Sequence, residues 1–227
     1  MFEPAVLSEG VGVVHLFWKV SPLADRDAIL SAIKEATADE DQVVTVAMLG
    51  HKADLATMAL SKDLWRLREL QTALSLAGLE LVDSYVSLTE VSEYAKGAPE
   101  EAKQARLYPV LPPEGKNAWC FYPMSKRREH DDNWFTLDFD TRRDLMMEHG
   151  MSGRKFAGRL VQLITASTGV DDFEWGVTLF AQKPDDLKEV VYTMRYDEAS
   201  AVYADFGVFY TGLVAEPEAT LTAIGIL

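Results

Sequence analysis

The sequence predicts an α+β fold, in which two ferredoxin-like units form an α+β barrel of the dimeric type. Three observations carry that expectation. The first 89 residues alternate in the order strand, helix, strand, strand, helix, strand, which is one ferredoxin-like unit. Residues 91–116 then hold four of the nine prolines and interrupt the hydrophobic periodicity, as a linker does. A second stretch of similar size follows with the same kinds of element in a similar order, although the halves share no obvious sequence repeat.

Residues 10–20 (GVGVVHLFWKV) are β-branched and aromatic and read as a buried strand. Ser21, Pro22 and Asp25 signal a helix start, and residues 25–37 carry apolar side chains at helical spacing. Residues 42–49 are a second strand, Gly50 and His51 a turn, and residues 53–60 a third strand. Ser61 reads as the cap of a helix that Gly78 closes, and residues 79–89 complete the unit as a fourth strand. Boundaries follow: an N-terminal unit over 1–95, a linker over 96–116, and a C-terminal unit over 117–227. In the second unit residues 117–124 read as a strand and 141–167 as helix with a break near 150–153. Residues 174–182 read as a strand, 184–195 as a helix and 208–215 as the last clear strand. Two such halves can pack sheet against sheet, and the interior of the resulting barrel is a natural place for a pocket.

Composition narrows the function. The formal net charge of −14 over 227 residues argues against a general nucleic-acid binder and against an anionic membrane surface, both of which need a basic face. Lys126, Arg127 and Arg128 nevertheless cluster, which leaves room for an anionic ligand. The single cysteine, Cys120, lies in the apolar run AWCFY and reads as a core residue. No apolar run approaches a membrane span, and the first ten residues lack a signal pattern, so a cytoplasmic protein is expected.

The stretch from Trp119 to His149 concentrates the candidate chemistry. Of the histidines at 15, 51, 130 and 149, only His149 is expected at a helix end beside a glycine, where the backbone leaves room for a flat ligand. A neutral imidazole there suits haem iron, and no second His or Cys stands at zinc spacing. Tyr122, Lys126 and Arg154 form a second group. A phenol at the edge of the core beside a solvated basic turn accounts for them; so does a redox-active tyrosine beside cations that hold carboxylates. Spacing alone does not choose.

Specific motifs do. FYPMSKRR, DNWF, EHGMSGRKFAG, DDFEWGVTLFA and VVYTMRYDEASAVYADFG resemble the chlorite dismutase-like superfamily, and within it the coproheme decarboxylases. The resemblance covers residues 90–215 in sequence and the N-terminal half in element order. It implies His149 as the proximal iron ligand, Tyr122 as the radical-forming tyrosine, and Lys126 as the lysine serving the second propionate. It implies Met124 at the pocket wall, Arg154 and Ser200 on propionates, and Glu198 as a candidate acceptor for the imidazole N–H of His149. Gln162 stands where chlorite dismutases look different, with a distal arginine, and matches one branch of the decarboxylases. DNWF ends in Phe135, where related sequences often have tyrosine.

The implied reaction is peroxide-dependent conversion of Fe-coproporphyrin III (coproheme, both substrate and redox centre) to haem b, with two propionates becoming vinyls. The implied partners are hydrogen peroxide, further copies of the chain in a homopentamer, and transiently the ferrochelatase that precedes it. A chlorite dismutase and a non-catalytic haem carrier or sensor are the competing functions.

Overall fold

The computed structural model describes residues 3–38, 40–95 and 97–227. Strand β1 (Gly12–Val20) is followed by helix α1 (Arg26–Ala36), β2 (Gln42–Met48), β3 (Leu55–Ser61), α2 (Leu64–Leu76) and β4 (Leu79–Thr89). Helix α3 (Glu100–Leu107) lies inside the expected linker. The second half runs β5 (Ala118–Lys126), α4 (Phe139–Arg154), β6 (Leu160–Ala166), β7 (Trp175–Ala181), α5 (Pro184–Met194), α6 (Glu198–Ala201), β8 (Ala204–Phe206), β9 (Tyr210–Val214) and α7 (Pro217–Ala223).

The strands form one closed barrel rather than two sheets stacked face to face. Their order is β7-β6-β4-β1-β3-β2-β9-β5, with β5 pairing β7 to close the ring and β8 lying on the edge of β5 beyond β9. Every pairing between named strands is antiparallel. Each half joins the other through short seams, β4 to β6 at Leu88 and Thr89 and β2 to β9 at Val46 to Met48. Closure removes the sheet edges that would otherwise offer unpaired backbone.

Side chains alternate across each strand and so build separate cores. On β1, Val13 and Phe17 point into the barrel, while Val14, Leu16 and Trp18 point outward beneath α1 and α2. The barrel interior is filled by Phe17, Tyr85, Trp119, Phe121, Phe180 and Tyr210 with their aliphatic neighbours. Phe17 stacks on Tyr210 at 3.7 Å and His15 on Phe121 at 4.1 Å between ring centroids. Large rings thus occupy the space where an interior pocket was expected. Outside the ring, α1 and α2 seal the N-terminal half with Ile29, Leu70 and Leu74.

Local chemistry sets the turns. Asp63, not Ser61, caps α2 by accepting the Trp65 N–H at 3.0 Å. Ser61 ends β3, buried, and its hydroxyl accepts the Asp63 N–H at 3.1 Å. Gly78 closes the helix as expected: its φ is 92°, and a Cβ there would stand 2.2 Å from the Leu23 carbonyl oxygen. Residues 155–167 are not helical. After α4 the chain turns through Gly158, with φ 82°, and enters β6 as a strand between β7 and β4.

Candidate active site

A cavity of about 1360 Å³ lies outside the barrel, between the outer face of β5, β6 and β7 and the helix α4. Its far wall is the segment that joins the two halves, which contributes Tyr94, Arg106 and Leu111. Such walls arise from the sheet register. Tyr122 pairs with Val177, which pairs with Ile164; Cys120 pairs with Leu179, which pairs with Gln162. Period-two alternation then puts Tyr122, Met124, Lys126 and Gln162 on one face, turned from the aromatic interior.

Helix α4 supplies the opposite wall in an unusual way. Of its 16 residues only Ser152 is buried, so it packs no apolar stripe against the sheet. His149 and Gly150 lie within this helix, not at its end, and no break occurs at 150–153. Nothing stands within 4 Å of where a Cβ of Gly150 would project, and the nearest atom to that of Gly153 is 3.5 Å away. Two glycines beside a histidine leave a flat cradle along the cavity side of α4. Glycine costs a helix about 1 kcal/mol relative to alanine, and no close packing contact here repays it.

The imidazole is oriented from behind. Ser200 Oγ lies 3.3 Å from His149 Nδ1, and Asp197 Oδ2 lies at 3.3 Å without hydrogen-bond geometry. Asp197 is buried and fixed by the Ser152 hydroxyl, which donates to Oδ1 at 2.7 Å. A proton on Nδ1 donates to Ser200 Oγ, faces the Asp197 carboxylate and leaves the Nε2 lone pair free. Burial lowers the His149 pKa, with Lys126 adding to the effect and Asp197 opposing it, so the neutral ring is favoured. The hydrogen-bond partner of the imidazole is thus Ser200, with the Asp197 carboxylate beside it, where Glu198 was expected.

Tyr122 is 6% exposed, stacked on Phe209 at 4.4 Å and edge-on to Phe206 at 5.6 Å. Its hydroxyl has no hydrogen-bond partner among the described residues, and burial pushes its pKa upward, keeping the phenol protonated. Gly207, between the two phenylalanines, lets the chain pass close over β5, because a Cβ there would come 2.6 Å from Pro123 Cγ. Lys126 is also buried; its ammonium donates to the Ala199 carbonyl and sits 4.3 Å from the Trp134 ring centroid. Burial lowers its pKa to about 8, against the pull of the Glu174 carboxylate.

The chlorite dismutase family profile matches residues 24–215. The chain belongs to the chlorite dismutase family. It is 46% identical to the coproheme decarboxylase of Staphylococcus carnosus, over 97% of this chain and 98% of that protein. A protein of Natronomonas pharaonis with a provisional heme-binding name is 37% identical, and the chain spans 41% of its length. Among solved structures, a heme-binding protein from Thermus thermophilus superposes with a TM-score of 0.87 at 35% identity, over 98% of both chains. Chlorite dismutase from Candidatus Nitrospira defluvii, solved in complex with imidazole, shares the fold, with a TM-score of 0.75 at 16% identity and 96% coverage of each chain.

In this family member the seven residues singled out from sequence, Tyr122, Met124, Lys126, His149, Arg154, Gln162 and Ser200, all line the one cavity. Gln162 reaches it from strand β6 rather than along a helix shared with His149. Arg154 is exposed at the end of α4 and has no ion-pair partner among the described residues. Sequence reasoning passed over Arg106, Arg142 and Arg195, three further cations on the cavity. Arg106 was hidden because residues 96–116 read as linker, although its helical flanks were a usable signal. Arg195 stood inside a quoted motif but carried no spacing of its own.

Proposed function

We propose that the chain is a peroxide-dependent coproheme decarboxylase that converts Fe-coproporphyrin III to haem b. The observation that carries this reading is the convergence of Tyr122, Lys126 and His149 on one cavity beneath a glycine-lined helix. The cradle at Gly150 and Gly153 suits a flat macrocycle, and the His149 Nε2 lone pair suits its iron. Arg106, Arg154 and Arg195 give a tetracarboxylate its counter-charges on a chain that is otherwise acidic. Met124 and Ser200 complete the wall around the propionates.

The iron porphyrin, as substrate, supplies the redox chemistry with peroxide as oxidant. Each propionate becomes a vinyl group by releasing CO2, one proton and two electrons, and one peroxide takes up two electrons and two protons to give two waters. Tyr122, as its radical, would abstract hydrogen from the propionate side chain. Burial keeps its phenol protonated at neutral pH, so to act it would pass an electron to the peroxide-oxidised substrate and its proton to a carboxylate of that substrate, and it would regain a hydrogen atom from the propionate. Lys126, with a pKa of about 8, holds the carboxylate of the second propionate and can take part in proton transfer. Gln162 offers the opposite face a neutral amide, with no fixed charge to hold an anion.

The unit from 117 onward and the linker before it supply most of the substrate's enclosure, and the unit over 1–95 serves as scaffold and adds its last residues, such as Leu88 and Tyr94, to the wall. We further place the protein in the cytoplasm as a homopentamer that takes coproheme from the preceding ferrochelatase. No helix among the described residues is long and apolar enough to cross a membrane. The test of function is mass spectrometry of the porphyrin after peroxide is added to the coproheme complex. Two successive losses of CO2 with two hydrogens each are expected; an unchanged porphyrin refutes the reading.

A further inference from the structure

Glu174 is a buried carboxylate to which the proposed mechanism gives no task. Its side chain is 9% exposed, one residue before β7 begins. We propose that Glu174 is a positioning residue for Lys126, holding the lysine ammonium where the second propionate must sit; this deepens the decarboxylase reading and rests on it.

The argument begins at the end of a ladder. Strands β5 and β7 stop pairing at Met124 and Trp175. One residue further, the Glu174 N–H donates to the Met124 carbonyl at 3.1 Å, and the Glu174 side chain turns back along β5. Its Oε2 accepts the Lys126 N–H at 2.9 Å, in the place of the missing ladder bond. Its Oε1 accepts from the Arg128 guanidinium. On the other edge of β5, Lys126 pairs with Ala204 of β8. The lysine backbone is therefore gripped from both sides, and its side chain runs past Trp134 to the Ala199 carbonyl.

Capping a strand end does not require a charge. A buried carboxylate costs desolvation that a neutral acceptor avoids, and its partner Arg128, 64% exposed, returns little of that cost. What the carboxylate adds is a field on a lysine that burial pushes toward the neutral form. The other charged or titratable groups around Lys126 are Arg128 beyond β5, His149 on α4 and Asp197 leading into α6. The Glu174 carboxylate favours the ammonium, against the burial that disfavours it.

The experiment uses Glu174→Gln in the full chain, with two readouts. In ligand-free protein, the pH dependence of Lys126 acetylation by acetic anhydride, followed by mass spectrometry, should shift down by about one pH unit. In the coproheme complex with limiting peroxide, the porphyrin that has lost a single CO2 should accumulate, its ratio to haem b rising about tenfold. Glu174→Asp keeps the charge but withdraws it by one methylene. It should titrate like the parent yet still accumulate the intermediate, and it carries the test alone if the glutamine variant does not fold. An unchanged share of intermediate in these variants, or equal slowing of both steps, overturns the proposal. A parent that yields no decarboxylated product refutes the function instead, and the acetylation profile still decides the role of Glu174.

Discussion

Replacing Tyr122 by phenylalanine separates a catalyst from a carrier. The hydroxyl has no partner among the described residues, so its loss leaves stability within about 0.5 kcal/mol, below the ~1 kcal/mol of a satisfied hydrogen bond. The ring still stacks on Phe209, and coproheme should bind with near-parental affinity. Phenylalanine has no acidic proton and is far harder to oxidise, so vinyl product should fall below about 1% of the parent's rate. Haem b formed at the parental rate would remove Tyr122 from the mechanism. His149→Ala tests the iron: the ferrous spectrum of the coproheme complex should change, while carboxylate contacts from Arg106, Arg154 and Arg195 keep the ligand loosely held. Gln162 leads to a third expectation, that the parent protein decomposes chlorite poorly, and sustained oxygen release at an electrode contradicts it.

Helix α4 invites a test in which stability and function move in opposite directions. Gly150 has helical backbone geometry, and a methyl group there meets nothing within 4 Å. Gly150→Ala should raise the stability of the ligand-free protein by about 0.5–1 kcal/mol, a shift of roughly 2 °C in Tm by calorimetry. The same methyl enters the cradle, so coproheme affinity measured by titration should fall. This helix also shows where local sequence signals misled. Glycines at 150 and 153 looked like a break, because their value lies in what they leave open and not in the helix itself. Residues 160–166 looked helical because Leu160, Leu163 and Ile164 fit helical spacing as well as strand alternation. Their strand form comes from the edges of β4 and β7, distant in sequence, that they pair with. Site residues, by contrast, were legible wherever several motif letters stood together, as around Tyr122, Lys126 and His149. Asp197 was missed by one residue, since the short helix after it fixes which carboxylate turns inward.

For the molecule as a whole, the α+β barrel was legible, and the two short seams that close it were not, because they leave no pattern in the chain. The filled barrel has its own pH signature. His15 is enclosed, its Nε2 at 2.9 Å from Thr178 Oγ1 and its Nδ1 unpartnered, and burial lowers its pKa from 6.5 to about 3. The folded state thus refuses a proton that the unfolded chain accepts below pH 6.5. Stability from this group is full above 6.5, and it falls as pH drops toward 3, by about 2 kcal/mol at pH 5. Urea midpoints at pH 5 and 7 should differ accordingly, and His15→Gln should shrink the difference.

The contrast between a barrel packed with rings and a helix that buries only Ser152 also divides the molecule in time. Amide protons on β1 and β3 should exchange with solvent only when the whole protein opens, whereas those of α4 escape through local opening. Coproheme would slow exchange in α4 first, while the barrel amides report the change only through global stability. Deuterium uptake along the chain would then read occupancy directly, residue 139 to residue 154, without reference to colour or turnover.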